Sequence, residues 1–389
     1  RASAPRKKAC QACTVARARC DLVRPSCSRC VDRQIQCEYS TPAAAGARVQ
    51  RAAWSSPPPA VSQEFAEPSS LLLLAPLDVS RIRDRWLDYY FTPTTKQIKE
   101  YPARIIALIA RTLSAYPAMW IRNESHVPPF IHPAQCYHQE VMPEPLANCL
   151  SLLRLCQNAA VGSEELVRDS ILRELSRLVA VVGEDVQDQT LRQHLWCLSA
   201  LQAYLLLCLY SYAAVKTRPS LGIFGPDLIS TLHGLASKVS AAGVLCLEEL
   251  GGGPSTGTPP PRWESWIIAE AKRRTLFCAY MFEDVYNYEM QSATYLADEL
   301  APLLAPSSRW LWQARDRNSF EAEYADWTKA WSGQRGLAIS ELWPSEAKED
   351  IDGAIMAQRA QETKDRISRW TEGVDEFGML ILAVCTATH

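Results

Sequence analysis

Residues 10–37 read CQACTVARARCDLVRPSCSRCVDRQIQC, and the spacing of the six cysteines decides how this end of the chain folds. The pattern is Cys10-x2-Cys13-x6-Cys20-x6-Cys27-x2-Cys30-x6-Cys37, two copies of one C-x2-C-x6-C unit joined by a six-residue loop. Zinc favours four soft ligands in a tetrahedron, and two cysteines three apart can wrap one ion from a turn leading into a helix. Six cysteines cannot give four private ligands to each of two ions, so two of them must bridge. The apolar side chains on offer, Val15, Leu22, Val31 and Ile35, make almost no core. The folding free energy of the unit must come largely from metal, and without zinc residues 10–37 are expected to be disordered.

The charge is split along the chain. Nine of its 41 Lys and Arg, but only three of its 43 Asp and Glu, fall in residues 1–40. The head is formally +6 and the remainder −8. Two zinc ions held by six thiolates lower the head only to +4. A compact basic head on an acidic body is the electrostatic footprint of a DNA-binding end.

The head resembles the fungal binuclear zinc cluster family of transcription factors. Besides the cysteine spacing, Ala9 precedes the first cysteine, Pro25 stands two residues before Cys27, and Glu38-Tyr39 follows Cys37. The resemblance implies two structural Zn²⁺ held by Cys10, Cys13, Cys20, Cys27, Cys30 and Cys37. It makes Cys10 and Cys27 the bridging ligands, with Cys13 and Cys20 completing one site and Cys30 and Cys37 the other. Pro25 is often cis in such proteins and would form a rigid corner. The resemblance also places Arg17 and Arg19 at the end of the first short helix, where they would read base edges in the major groove of double-stranded DNA. Arg6, Lys7, Lys8, Arg24 and Arg33 are expected on phosphates. Ala16 stands where a base-contacting lysine is common in the family, so the usual CGG preference is not implied. The family further implies a nuclear regulator of RNA polymerase II transcription, controlling a metabolic or secondary-metabolite gene set together with co-regulators.

The expected fold is mainly α. A zinc cluster module (1–40) is joined by a flexible Pro/Ala/Ser linker (41–70) to a large all-α regulatory domain (71–389). Pro57, Pro58 and Pro59 forbid a helix in the linker. No heptads lie between Tyr39 and Leu71, so a homodimer would have to form through the helical body. Apolar residues at three- and four-residue spacing predict helices over Leu77–Phe91, Arg104–Met119, Leu146–Asn158, Ser163–Val182, Leu191–Val215, Pro226–Ala242, Trp263–Tyr288 and Ala314–Trp331. The segment Ile339–His389 returns to helical patterning. Gly251–Pro261 reads as a surface loop, and the proline-rich Tyr116–Pro145 as a connector packed on the surface of the core. Four phrases in this body also resemble the family's fungal-specific regulatory domain: Pro129–Pro133, Pro145–Cys149, Trp263–Trp266 and Ala271–Arg274. In such proteins it modulates activation and sometimes binds small effectors.

Other features have plainer readings. Leu195–Val215 is uncharged and long enough to span a bilayer, but Ser199, Gln202, Ser211 and its tyrosines favour a buried core helix. Lys272, Arg273 and Arg274 are expected on a solvent-facing helix side, paired with acids such as Glu270, while Trp263, Trp266, Phe277 and Met281 pack inside. The eight cysteines beyond the head read as small core residues in a reducing compartment. His126, His132, Cys136 and His138 match no tetrahedral spacing and suit a connector better than a third metal site. Glu341–Asp352 has the acidic–hydrophobic mix of an activation segment or, equally, of a solvated helix face. The chain begins at Arg1, so a trimmed N-terminus is expected, and no secretory signal is visible. No nucleophile elbow, phosphate-binding glycine loop, HExxH or dinucleotide fingerprint occurs, and zinc closed by thiolates offers no open catalytic position, so no enzyme is expected. The alternative is a zinc cluster acting as a redox or metal sensor, or as a protein-interaction module.

Overall fold

The structure is a computed structural model. It describes residues 9–37 except 17, 24 and 25, together with 72–73, 77–89, 98–123, 125–137, 142–160, 162–183, 190–218, 222–250, 260–343 and 353–387. The chain divides into two compact units, Arg1–Pro59 and Ala60–His389. In the first, two five-residue helices stand out, α1 (Gln11–Val15) and α2 (Ser28–Asp32).

The second unit is built on helices: α3 (Val79–Asp84), α4 (Ala103–Arg122), α5 (Pro133–Tyr137), α6 (Glu144–Gln157), α7 (Glu164–Gly183), α8 (Leu191–Thr217), α9 (Pro226–Ala241), α10 (Trp263–Glu289), α11 (Arg309–Trp312), α12 (Arg317–Ala330), α13 (Gly353–Gly373) and α14 (Glu376–Ala387). Local chemistry sets many of their starts. The Asp78 carboxylate accepts from the Ser80 and Arg81 amides, and Thr190 Oγ1 accepts from Gln193 N. Asp316 and Ser319 cap each other reciprocally, and Pro226 occupies the first helical position behind Gly225. The first predicted helix is shorter than its pattern: α3 ends at Asp84, and the chain tightens into a 3₁₀ turn over Arg85–Tyr89. The second runs three residues past Met119, carrying Pro117 inside it.

The centre is formed by α8 and α10. The helices α4, α6, α7, α9 and α10 all pack on α8, which explains its apolar character on every side. Among the described residues α8 alone is long and apolar enough to cross a membrane, yet most of that surface is buried inside the protein. It is a core helix. An antiparallel pair of two-residue strands, β1 (Leu72–Leu73) and β2 (Leu245–Cys246), adds a strand element to the all-helical pattern.

The positive run on α10 corrects an expectation. Lys272, Arg273 and Arg274 are not on a solvent face; each is at most 1 % exposed. They are buried because each finds partners from distant segments. Arg273 donates to Glu249 Oε1 (2.7 Å) and Oε2 (3.0 Å), and to Glu270 Oε2 (2.7 Å). Arg274 donates to Glu270 Oε1 (2.7 Å) and Asp375 Oδ2 (2.6 Å), and its guanidinium lies 4.2 Å from the Trp312 ring centre. Lys272 Nζ donates to Gly243 O (2.8 Å) and sits 3.2 Å from His194 Nδ1. Pairing with Glu270 is as expected; the solvent exposure is not. Trp263, Trp266, Phe277 and Met281 do pack inside.

The connector is corrected as well. Tyr116–Arg122 belongs to α4, and Phe130, Ile131, His132 and Gln135 are buried rather than laid on the surface. A polar clasp allows this: Gln202 Nε2 donates to Phe130 O (2.7 Å), and Gln135 Nε2 donates to Gln202 Oε1 (3.1 Å). Seven of the eight body cysteines are buried and Cys197 is half-buried. Residues 41–71, 251–259 and 344–352 lie outside the described residues, and with them the linker, most of the glycine-proline loop and most of the acidic segment. Glu341, at the start of that segment, is held by Arg366 Nε at 2.8 Å.

Candidate metal centre and nucleic-acid interface

The sequence repeat in the head is also a structural repeat, with a period of 17 residues. Cys10 is the N-cap of α1 and Cys27 the N-cap of α2, both with extended backbone. The hydrogen bonds recur at the same offset: Thr14 N to Cys10 O and Val31 N to Cys27 O, Ala16 N to Ala12 O and Arg33 N to Arg29 O, Ala18 N to Cys13 O and Ile35 N to Cys30 O. Each C-x2-C pair therefore places one sulfur at a helix cap and the next in the first turn, where the two point the same way.

The sulfurs converge. Cys10 and Cys27 Sγ are 3.8 Å apart, Cys10 and Cys30 3.7 Å, and Cys13 and Cys27 3.7 Å. None of the cysteines is in a disulfide. A zinc ion bound at about 2.3 Å by each of four thiolates sets its sulfurs about 3.8 Å apart, so these edges suit tetrahedral zinc. Two quartets can each hold a metal, Cys10/Cys13/Cys20/Cys27 and Cys10/Cys27/Cys30/Cys37, with every sulfur in a quartet within 4.8 Å of the others. Cys10 and Cys27 belong to both. Among the described residues no other group of His, Cys, Asp and Glu has this geometry. In particular, His126 is exposed and bonded to Asn123 (2.9 Å), and His132 is buried with Nδ1 accepting from Ala134 N (3.1 Å).

The sulfurs differ electrostatically. The backbone N–H of Cys13 holds Cys10 down to about 6, whereas burial pushes Cys13 up to about 11. Thiols must shed their protons to bind a metal, so the metal and the fold form together. The apolar side chains do not replace it: Val15 is 80 % exposed, Val31 60 % and Ile35 43 %. The interior of this unit is its cysteines.

Two residues emerge that the spacing did not flag. Asp21 spans the loop between the repeats, its carboxylate accepting from Val23 N (3.4 Å) and Ser28 N (3.1 Å). Ser28 is the first residue of α2, so Asp21 ties the loop to that helix start, and the Ser28 hydroxyl, followed by the Ser28 and Val23 amides, holds its carboxyl below the usual range. An acid directly after the third cysteine was the available signal. Arg29 Nη1 donates to Cys13 Sγ at 3.7 Å. The equivalent position in the first repeat is Ala12, so the cationic donor has no counterpart there and its role is invisible in the cysteine pattern.

Of the expected DNA-contacting residues, Arg19 and Arg33 are exposed, Arg19 beyond the end of α1 and Arg33 as the C-cap of α2. Arg6, Lys7, Lys8, Arg17 and Arg24, with Pro25, lie outside the described residues.

Residues 8–45 match the family profile of the fungal Zn(2)-Cys(6) binuclear cluster domain. This is a zinc-binding, DNA-binding module of transcription regulation that holds two zinc ions. No curated protein and no solved structure matches the chain.

Proposed function

We propose that this chain, which carries a fungal Zn(2)-Cys(6) binuclear cluster domain as its head, is a nuclear, sequence-specific transcription factor for genes read by RNA polymerase II. The observation that carries the reading is the pair of sulfur quartets sharing Cys10 and Cys27, set in a head of formal charge +6. Cys10 and Cys27 bridge the two zinc ions, Cys13 and Cys20 close one tetrahedron, and Cys30 and Cys37 the other. The zincs are structural. Arg17 and Arg19 follow α1 and read base edges in the major groove, where arginine can bond guanine O6 and N7 together. Arg6, Lys7, Lys8, Arg24 and Arg33 hold phosphates. The helical body, residues 71–389, is the regulatory part, joined to the module at 1–40 through a linker at 41–70. Partner co-regulators and a homodimer contact belong to that body, and by resemblance the target is a metabolic or secondary-metabolite gene set.

The test is selection of duplexes from a randomised library by the full chain at two salt concentrations. The reading predicts a short enriched motif containing guanine, lost on chelation and in Arg17→Ala and Arg19→Ala. Arg33→Ala should leave the motif intact and lower the salt slope of binding by about 0.9. Salt-sensitive binding with no enriched motif would confine the head to phosphates. No binding at either salt would move the function to protein contacts or redox sensing.

A further inference from the structure

One buried and one half-buried cation face three buried carboxylates inside the helical body. Arg85 and Lys99 are the cations; Glu283 and Asp284 on α10, with Glu299 just beyond it, are the acids, all nearly solvent-free. Arg85 donates to Glu283 Oε2, to Glu299 Oε1 (3.0 Å) and to Tyr295 O (2.8 Å). Lys99 Nζ donates to Asp284 Oδ2 (3.3 Å), an oxygen that also accepts from Tyr101 Oη. At the rim, half-exposed Arg81 lies 3.6 Å from Glu299 Oε2 and 3.9 Å from exposed Asp298, so these two rim charges add nothing to the sum. His233 lies 3.5 Å from Glu283, but burial pushes its pKa down and favours the neutral ring. By formal charge the cluster holds one negative charge in excess.

Among the described residues two buried carboxylate oxygens of the cluster have no hydrogen-bond donor: Glu299 Oε2, with Arg81 Nη2 at 3.6 Å, and Oδ1 of Asp284, which is 1 % exposed, with Arg85 Nη2 at 4.0 Å, beyond hydrogen-bonding distance. Asp284 and Lys99 also line a cavity whose other walls are largely apolar, among them Phe277, Leu300, Ile381 and Val384, with polar groups from Tyr280, Trp343 and Cys385. Its volume is about 50 Å³, on a measure by which one water needs about 10–15 Å³. Of these polar groups the Tyr280 hydroxyl already donates to Glu299 Oε1 (2.9 Å), and none of them bonds Asp284 Oδ1. A carboxylate ligand would meet Asp284, and the Lys99 ammonium is already engaged.

We propose that this cavity binds a short primary alkylamine, its ammonium donating to Asp284 Oδ1 and its alkyl chain lying against Phe277, Leu300, Ile381 and Val384. The ammonium supplies both the missing donor and the missing positive charge; an alcohol supplies only the first. The site does not depend on the DNA-binding reading.

The test titrates the zinc-loaded full chain by calorimetry with n-butylammonium chloride, n-butanol and sodium butyrate at matched ionic strength. The amine should bind at least tenfold more tightly than either analogue. Asp284→Asn should erase that advantage and leave n-butanol unchanged. Ala297→Leu, which fills the cavity from a wall without touching the carboxylate, should abolish binding of both. Equal binding of the three probes, no binding of any, or an amine advantage that survives Asp284→Asn overturns the proposal. If Asp284→Asn does not fold, Ala297→Leu decides: loss of the amine supports the site, and retained binding overturns it.

Discussion

Cys10 and Cys27 each belong to two sulfur quartets, and among the described residues no other side chain in the head does so. That two cysteines must be shared was legible by counting alone; that they are Cys10 and Cys27 was implied only by the family resemblance. Arg29 was not legible, since its bond to Cys13 Sγ crosses from one repeat to the other and follows no fixed spacing. A guanidinium on a zinc-bound thiolate offsets its charge and orients it, as outer partners of metal ligands do. Arg29→Ala should therefore speed zinc transfer to a chromogenic chelator by about tenfold, the low end of such effects. An unchanged release rate, with a smaller salt slope of DNA binding, would make Arg29 a phosphate contact instead. Lys272 carries a different residue-scale consequence. Burial pushes it down to about 7, and its bonds to Gly243 O and His194 provide no carboxylate. Its folded value lies below its unfolded one, so between about pH 7 and pH 10 the unfolded chain binds the extra proton and stability rises with pH. The shift corresponds to an effect on the order of 5 kcal/mol. Urea unfolding at pH 7 and pH 9 should show stability rising with pH in the native chain and a flatter response in Lys272→Met. A Lys272→Met protein less stable than the native one at pH 7 would refute a costly buried ammonium.

At the scale of elements, helical periodicity found α4, α6, α7, α8, α9 and α10 to within a few residues. Apolar spacing records which face a helix buries, and these helices bury theirs. The same rule failed on Lys272–Arg274 because it assigns charged positions to solvent. Their partners explain the failure: Glu249 lies 24 residues before Arg273, and Asp375 lies 101 residues after Arg274. Periodicity within one helix cannot see either. It missed the burial of Phe130 and Ile131 similarly, since the clasp comes from Gln202 on α8. Glu270 joins both arginines, and their charges hold its carboxyl below the usual range against the opposing effect of burial. Glu270→Ala leaves two buried guanidiniums short of a carboxylate and should cost about 3–5 kcal/mol in chemical denaturation. A loss below about 1 kcal/mol would mean that Glu249 and Asp375 suffice.

Over the whole molecule, a metal-built head of 17-residue repeats and a helical body with a conventional apolar core obey different rules. The head has cysteines for an interior and exposes Val15 and Val31, so its folding is tied to zinc. The body packs seven of its eight cysteines into an apolar core, and among its described residues no metal-ligating group converges. Chelation should therefore unfold the head alone. The most direct measurement is the zinc content of the full chain and its cysteine variants by native mass spectrometry. The native chain should carry two zinc ions. Cys20→Ser or Cys37→Ser, each touching one quartet, should keep one ion, whereas Cys10→Ser or Cys27→Ser should lose both. A single zinc in the native chain, or equal losses in all four variants, would contradict a cluster bridged by Cys10 and Cys27.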